Sequence, residues 1–294
     1  MVVPDVIRLQ QGAMELALCP ELGGVITALR HAGRDVMQPA SAAFFESGDP
    51  REASSFPLVP FSGRVADGRF RFQGQVYQLE PNFPPEPHAI HGHGWQNPWQ
   101  VIDAGAARAV LAFEHHVPQT PLHYRARQTF TLSDTGLAAS IEVTNTGEKP
   151  MPAGIGLHPY FNRTPSVTLQ AELDHVWLAD ARNIPKERVA LPPAWDFAQA
   201  SRVAALEMDN GFGGWDGRAA IHWLETGLSL EIEAEPVLRD LVIFIPPHEN
   251  FFCVEPVSNA NDGFNLFDRG AADSGVRVLA PGETLSGRVD FRIS

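Results

Sequence analysis

QTFTLSDTGLAASIEV, residues 128–143, alternates apolar and polar side chains on both sides of a short polar segment. Phe130 and Leu132 precede the segment SDTG, and Ile141 and Val143 follow it. Alternation with a period of two places the apolar side chains on one face of a strand, and the polar segment has the composition of a turn. This stretch therefore predicts an antiparallel hairpin with one buried face.

The same alternation occurs in other parts of the chain. We predict a second hairpin over residues 68–79, with its turn at Gln73 and Gly74, and a third over residues 220–232. Residues 241–245, LVIFI, are continuously apolar and are followed by two prolines, which predicts a strand buried on both faces.

Sustained helical periodicity is hard to find, and only residues 192–200 and 203–208 indicate short helical turns. The 25 glycines and 25 prolines are spread along the chain, as expected for many turns between short strands. We therefore predict an all-β fold of packed, mainly antiparallel sheets, forming one domain over residues 1–294.

Composition narrows the range of partners. The formal charge is −13, from 22 basic and 35 acidic side chains, so neither nucleic acid nor an anionic membrane surface is an expected partner. Residues 1–12 lack a signal-peptide pattern, and no apolar run reaches the ~18 residues of a membrane helix. Cys19 and Cys253 do not make a disulfide framework, so we expect reduced thiols and a cytoplasmic protein.

The first candidate site is PFSGRVADG, residues 60–68. Arg64 offers five N–H donors in a fixed geometry that suits hydroxyl or carboxylate oxygens. The alternative is a solvated ion pair between Arg64 and Asp67 across a tight turn.

The second candidate site contains His88, His91, His93 and Trp95. Imidazole is a common metal ligand, and a strand would place His91 and His93 on one face. No acidic residue lies between His93 and Asp103 to complete a short-range set of ligands. The alternative is that these histidines donate hydrogen bonds to a neutral ligand, with Trp95 offering a flat apolar face.

Two further candidates follow apolar stretches. His158 ends such a stretch and is followed by a proline, which favours an extended backbone at the histidine. Glu255 comes directly after four apolar residues, so it is expected at the edge of the core, with a partner or with a raised pKa. Either environment suits a general base, although each residue alone is also compatible with a structural role.

Other reaction types have no support in the sequence. The chain has no Gly-x-Ser-x-Gly elbow, no phosphate-binding glycine loop before a helix and no Cys-x-x-Cys pair.

Taken in order, the candidate motifs resemble the aldose 1-epimerase (galactose mutarotase) family, and the resemblance runs nearly end to end. The matching segments are 13–29 with Gly23 and Gly24, 60–68 around Arg64, 90–92 around His91, 156–162 around His158, 253–257 around Glu255, and 278–283 with its Pro-Gly-Glu tail.

The resemblance implies a β-supersandwich and interconversion of the α and β anomers of an aldose without a cofactor or metal. It implies that Glu255 removes the proton from the anomeric O1 hydroxyl and that His158 protonates the ring oxygen. Arg64 and His91 would hold sugar oxygens, and Asp209 would bind ring hydroxyls, with Asp216 as the alternative.

Two departures from the family pattern concern the substrate. His93 stands where the family often has a second glycine, which affects the expected shape of the pocket. Trp95 stands where the hexose-6-phosphate branch usually has an arginine, which disfavours a phosphorylated sugar, although Arg69 and Arg71 keep that substrate open.

The leading hypothesis is therefore a mutarotase for a free aldose such as glucose or galactose, acting as a monomer or homodimer. Three alternatives stay open at this point. They are a non-catalytic carbohydrate-binding protein on the same fold, a hexose-6-phosphate 1-epimerase, and a metal enzyme that uses the histidines of residues 88–93.

Overall fold

The computed structural model describes residues 4–293 and is built almost entirely from strands. The strands are β1 (Ile7–Gln11), β2 (Met14–Cys19), β3 (Val25–His31), β4 (Arg34–Asp35), β5 (Ser55–Leu58), β6 (Arg64–Val65), β7 (Arg69–Phe72), β8 (Gln75–Gln78), β9 (Ala89–Ile90), β10 (Gln100–Ala104), β11 (Arg108–His116), β12 (His123–Ser133), β13 (Gly136–Asn145), β14 (Met151–Ala153), β15 (Gly156–Asn162), β16 (Thr168–Ala171), β17 (His175–Ala179), β18 (Pro185–Ala190), β19 (Ser201–Arg202), β20 (Met208–Gly213), β21 (Arg218–Trp223), β22 (Leu228–Ala234), β23 (Asp240–Ile245), β24 (Phe251–Val257), β25 (Arg277–Leu279) and β26 (Thr284–Ile293). The helices are α1 (Ala42–Ser47), α2 (Gly263–Asp268) and the 3₁₀ turns Pro50–Glu52, Ala66–Gly68, Gly94–Gln96 and Pro193–Trp195.

Two large antiparallel sheets dominate the fold. The eleven-stranded sheet has the order β1-β2-β3-β5-β15-β24-β23-β20-β17-β18, with β4 paired to β3. The nine-stranded sheet has the order β10-β11-β12-β13-β26-β22-β21-β16-β19. This arrangement confirms the predicted all-β fold of packed, mainly antiparallel sheets. Strands from distant parts of the chain are neighbours in both sheets.

The hairpin predicted from residues 128–143 is present as β12 and β13. Leu132 faces Leu137 across the pair, and Gln128 faces Ile141. Phe130 and Ile141 are buried in the core that the two large sheets share. The period-two pattern therefore identified both the strands and the face that is buried.

The other two predicted hairpins are also present, as β7–β8 and β21–β22. Gln73 and Gly74 both have positive φ in the β7–β8 turn, the conformation that a two-residue hairpin loop needs. The 3₁₀ turn at Pro193–Trp195 lies within the predicted helical stretch 192–200. In contrast, α1 and α2 were not predicted, because six residues are too few to show a helical period.

The strand predicted from residues 241–245 exists as β23, but it is not buried on both faces. Leu241, Ile243 and Ile245 are fully buried in the core between the sheets. Val242 and Phe244 point the other way, are only partly buried and line a cavity. Alternate side chains of this apolar run therefore pack in the closed core and line the wall of a cavity.

Both cysteines are unpaired, as predicted, and both are buried. Within residues 4–293, no helix has the length and apolar character needed to cross a membrane.

Asp240, the first residue of β23, is a buried carboxyl group outside the cavity. Its Oδ2 has no hydrogen-bond partner among the described residues, and neither does Nε2 of the neighbouring His175. A Cβ on Gly213 would lie 2.3 Å from that Nε2 and 3.3 Å from Asp240 Oδ1, so this packing requires a glycine. Burial raises the pKa of Asp240 to about 7; Arg239 opposes the rise and Asp273 adds to it.

We predict that the free energy of unfolding of the Asp240→Asn variant increases relative to that of the parent protein as pH rises from about 4 to about 7. The folded state binds the Asp240 proton more tightly than an unfolded aspartate does, so the parent loses stability over this range and no more above it. A tenfold change in an acid constant is worth about 1.4 kcal/mol, so the relative gain is on the order of 3 kcal/mol.

Urea unfolding of both proteins across this pH range measures the effect, with the exposed Asp268→Asn as the control. A free-energy difference between Asp240→Asn and parent that does not change with pH would contradict the assignment.

Candidate active site

A cavity of about 670 Å³ opens on the face of the eleven-stranded sheet that points away from the shared core. The register of the sheet places several polar side chains next to one another on this face. Phe56 of β5 lies opposite His158 of β15, and Val242 of β23 lies opposite Glu255 of β24. Asp209 of β20 lies opposite Phe244 in turn. His158, Glu255 and Asp209 therefore face one space.

His158 lies in the floor of the cavity and is 7% exposed. Its ring stacks on Phe56 at 4.4 Å and on Tyr160 at 4.8 Å between centroids, which fixes its orientation. Its Nδ1 is buried and has no hydrogen-bond partner within residues 4–293. Burial lowers the pKa of His158 to about 3, with a backbone hydrogen bond opposing the change.

Glu255 is the direct partner of this ring. Its Oε1 lies 3.3 Å from His158 Nε2, and the residue is 2% exposed. Burial raises the pKa of Glu255 well above its usual value; Asp209 adds to the rise and Arg64 opposes it. Glu255 therefore combines the two environments that the sequence left as alternatives, a partner and a raised pKa.

The lowered pKa of His158 and the raised pKa of Glu255 together indicate the charge state of the pair. Burial disfavours both the carboxylate and the imidazolium, so a pair that holds one proton is most stable as neutral carboxyl and neutral imidazole. Because the two atoms lie close together at an open cavity, this pair can exchange protons with a bound ligand.

Arg64 projects into the same cavity, but its partner is not the one considered from the sequence. Its Nε and Nη2 donate to the two carboxylate oxygens of Glu86, each at 2.9 Å. Asp67 instead pairs with Arg182. The backbone N–H of Arg64 donates to Asn261 Oδ1 at 2.6 Å, which holds the start of β6 in place.

His91 lines the cavity beside His158, with 5.5 Å between the ring centroids. The backbone N–H of Gly63 donates to His91 Nδ1 at 3.2 Å, so the ring carries its proton on Nε2. Burial lowers the pKa of His91 well below its usual value, and His158 and Arg64 act in the same direction. His91 is therefore a neutral hydrogen-bond donor.

The expectation that His91 and His93 share one face of a strand is wrong. β9 ends at Ile90, and His91 has a φ of 59°, which turns the chain. Gly92 is also left-handed, and a Cβ there would lie 2.1 Å from the Val59 carbonyl oxygen. The turn therefore sends the two histidine rings in different directions.

The three neighbouring histidines consequently form no common ligand set. His88 Nδ1 accepts a hydrogen bond from the backbone of Asp67. His93 stacks on His115 at 4.3 Å and contacts the Tyr124 hydroxyl. Among the described residues that line the cavity, His93 is absent, so it does not alter the pocket in the way expected from the sequence.

One group of three side chains within residues 4–293 does bring candidate metal ligands together. These are His158, Cys253 and Glu255, whose ligand atoms lie within 4.8 Å of one another. Burial raises the pKa of the Cys253 thiol well above its usual value, and Glu255 adds to the rise. Binding of a metal ion by this group would require loss of the Cys253 thiol proton, whereas proton sharing between His158 and Glu255 would not.

Asp209 and Asp216 are clearly distinguished by position. Asp209 lines the cavity, and its Oδ2 lies 4.0 Å from Arg64 Nη1. Burial raises the pKa of Asp209, and Arg64 opposes the rise. Asp216 is exposed and accepts a hydrogen bond from the backbone of Arg218, on the outer side of the other sheet.

Trp95 borders the cavity but is only 2% exposed. Its ring stacks on Phe56 at 5.3 Å, and its Nε1 donates to the carbonyls of Ile90 and Gly92. The indole therefore supports Phe56 and the His91 turn, and little of its flat face is left for a ligand.

Several residues that line the cavity were not among the candidates identified from the sequence. They are Arg51, Glu52, Phe56, Glu86 and Glu249. Glu86 lies in a proline-rich loop, 22 positions from the arginine it binds. A carboxylate between two prolines just before the histidine motif is the signal that could have identified it. Arg69 and Arg71, considered for a phosphate, are exposed on β7 and are not among the described lining residues.

Comparison with known proteins connects this geometry to one family. The sequence profile described as aldose 1-epimerase matches residues 5–292. The uncharacterized protein YphB of Escherichia coli K12 is 33% identical over 296 residues, covering 98% of both chains.

Solved structures agree with this match. A candidate aldose 1-epimerase from Escherichia coli K12 is 32% identical and superposes with a TM-score of 0.90, covering 99% of each chain. A galactose mutarotase-like protein from Clostridium acetobutylicum is 21% identical, with a TM-score of 0.83 over 98% of this chain and 94% of its own. The second likeness concerns the fold alone.

We predict that His91 stays neutral, with its proton on Nε2, throughout the range from pH 5 to 8 in which an ordinary histidine titrates. The Gly63 hydrogen bond and the partly buried position of the ring are the cause. Two-bond ¹⁵N–¹H imidazole spectra measure both properties, with His91→Asn used to assign the signal and the exposed ring of His248 as a reference. Protonation of His91 within this range, or a proton on Nδ1, would contradict the geometry.

Proposed function

The chain belongs to the aldose 1-epimerase family, and from this premise we propose that it interconverts the α and β anomers of a free aldose such as glucose or galactose. The observation that carries the proposal is the contact between His158 Nε2 and Glu255 Oε1 at 3.3 Å in the floor of an open cavity. O1 and O5 of an aldose are bound to the same carbon, so an acid and a base that serve both oxygens must lie close together.

In the opening direction, Glu255 acts as the carboxylate and takes the proton from the anomeric O1 hydroxyl. Protonated His158 gives its proton to O5 while the C1–O5 bond breaks and the aldehyde forms. Rotation about C1–C2 then presents the other face of the aldehyde. On closure, His158 takes the proton from the O5 hydroxyl, O5 attacks C1, and the Glu255 carboxyl returns a proton to O1.

The pair holds one proton between its two members at the start and at the end of each half-reaction. Ring opening converts carboxylate and imidazolium into carboxyl and imidazole, and burial favours this neutral pair. Arg64 lowers the pKa of Glu255, which stabilises the charged form needed to begin. The protons move between the pair and the sugar, so the proposed cycle requires no cofactor.

The remaining polar groups of the cavity would orient the sugar. His91 presents an Nε2–H donor, Arg64 keeps N–H groups beyond those used by Glu86, and Asp209 offers acceptor oxygens. Trp95 acts in this proposal by supporting the stacked ring of Phe56. A non-catalytic sugar-binding protein would need these contacts but would not need a buried acid–base pair, which is why we favour an enzyme.

We predict that Glu255→Gln lowers kcat for mutarotation by about 10²- to 10⁴-fold, because the amide cannot accept the O1 proton. Polarimetry of freshly dissolved α-D-glucose and α-D-galactose, corrected for catalysis by the buffer, measures the rate. The exposed Glu148→Gln is the control and should keep the parent rate.

Binding of the same sugars to Glu255→Gln, followed by calorimetry, separates the two candidate functions. Retained binding with lost turnover agrees with catalysis by this pair. Full activity of Glu255→Gln would exclude the proposed base, and sugar binding by a parent protein that accelerates mutarotation of neither sugar would favour the non-catalytic protein.

We predict that Asp209→Asn raises KM by about 10- to 100-fold, whereas Asp216→Asn leaves it unchanged. A hydrogen bond to a charged group is worth about 1.5–3 kcal/mol, and only Asp209 faces the cavity. Steady-state polarimetry on the two variants makes the comparison directly. A larger rise in KM from Asp216→Asn than from Asp209→Asn would contradict the proposal, because it would place sugar binding at Asp216.

A further inference from the structure

We propose that the cavity selects uncharged sugars, and that Glu86 sets this selectivity by neutralising Arg64. The inference rests on the proposed function and narrows its substrate class. Its basis is that both arginines lining the cavity are already paired with carboxylates of the protein.

The first pair is Arg64 with Glu86. Two parallel hydrogen bonds of 2.9 Å join the guanidinium to the carboxylate, and the side chains are only 12% and 26% exposed. The Arg64 guanidinium lowers the pKa of Glu86, so the glutamate stays ionised. Arg64 therefore presents N–H donors to a ligand while its positive charge is largely cancelled.

The second pair is Arg51 with Asp49. Arg51 Nε donates to both Asp49 oxygens at 2.9 Å, and Nη2 donates to one of them. The guanidinium also lies over the Phe83 ring, 4.8 Å from its centroid. These contacts hold Arg51 against the wall of the cavity and oppose its rotation toward an anion.

Carboxylates outnumber guanidinium groups along the same wall. Besides Glu255, whose pair with His158 is most stable uncharged, the carboxyl-bearing residues among the described lining are Glu52, Glu86, Asp209 and Glu249, whereas the arginines are Arg51 and Arg64. Carboxylates only accept hydrogen bonds, and sugar hydroxyls can donate them. A phosphate ester or uronate would bring negative charge and further acceptors into a site that already has an excess of both.

Glu86 is the member of this set that a substitution can test cleanly. Glu86→Gln keeps a side chain of the same size and one acceptor oxygen, but it removes the charge that cancels Arg64. Glu86→Asp keeps the charge on a shorter side chain. The neutral variant should therefore admit anionic sugars, and the charged variant should still reject them.

The experiment measures exchange between anomers by NMR for a neutral hexose, its 6-phosphate and the matching hexuronic acid. For the parent protein, we expect kcat/KM for the neutral sugar to exceed that for each anion by at least about 100-fold. Glu86→Gln should reduce this ratio at least about tenfold, through a gain on the anions. Glu86→Asp and the exposed Glu80→Gln should retain the parent preference.

A parent protein that uses the anions as well as the neutral sugar would overturn the inference, as would a ratio that Glu86→Gln leaves unchanged. A merely structural role for Glu86 would lower activity on all three sugars together and leave the ratio as it was.

Calorimetric binding of the same three ligands to Glu255→Gln keeps this test separate from the proposed function. Absence of turnover by the parent protein would contradict the proposed epimerase. The charge preference would then still be decided by binding, where tight binding of the neutral hexose alone supports it and equal binding of all three ligands rejects it.

Discussion

Strands β15 and β24 lie side by side in the middle of the eleven-stranded sheet, and the contact between His158 and Glu255 depends on that adjacency. The two strands come from segments almost a hundred residues apart, so the sheet must form before the pair exists. Once they are paired, the register leaves each side chain little freedom. Phe56 and Tyr160 stack on the imidazole, and Glu255 is enclosed on the same face of the sheet. Burial then favours the neutral form of both groups, which is the property on which the proposed chemistry depends.

The sheet meets two opposite demands with alternate residues of the same strands. On β23, Ile243 and Ile245 are buried between the two large sheets, while Val242 and Phe244 line the cavity. The apolar face supplies the favourable free energy of burial, and this stability offsets the cost of holding ionisable groups on the other face. A cavity built on a large sheet is also rigid, because each strand in its floor is hydrogen-bonded to neighbours on both sides.

Local sequence predicted the parts of the molecule that depend on local pattern. The hairpin of residues 128–143 could be identified because its turn composition and its alternation agree. His158 and Glu255 were candidates because each follows an apolar stretch, but that pattern alone also fitted a structural role, and the resemblance to the aldose 1-epimerase family implied their chemistry; the structure places both residues within strands. Sequence could not predict that Glu86 binds Arg64, because that pair depends on how β6 and β9 bring two loops together. The shared face expected for His91 and His93 was wrong for a similar reason: a positive φ at His91 turns the chain where the pattern suggested a strand.

Electrostatic neutrality connects the two proposals. The acid–base pair is most stable when neither member is charged, and each arginine in the wall is paired with a carboxylate. A free guanidinium next to Glu255 would stabilise the carboxylate strongly and hold the pair in its charged form, which would oppose the neutral state that follows ring opening. By binding Arg64, Glu86 limits this field while leaving N–H donors for sugar oxygens. The same ion pair that moderates the charge on the base thus also removes the cation that an anionic sugar would need, so that reactivity and substrate class have one physical origin.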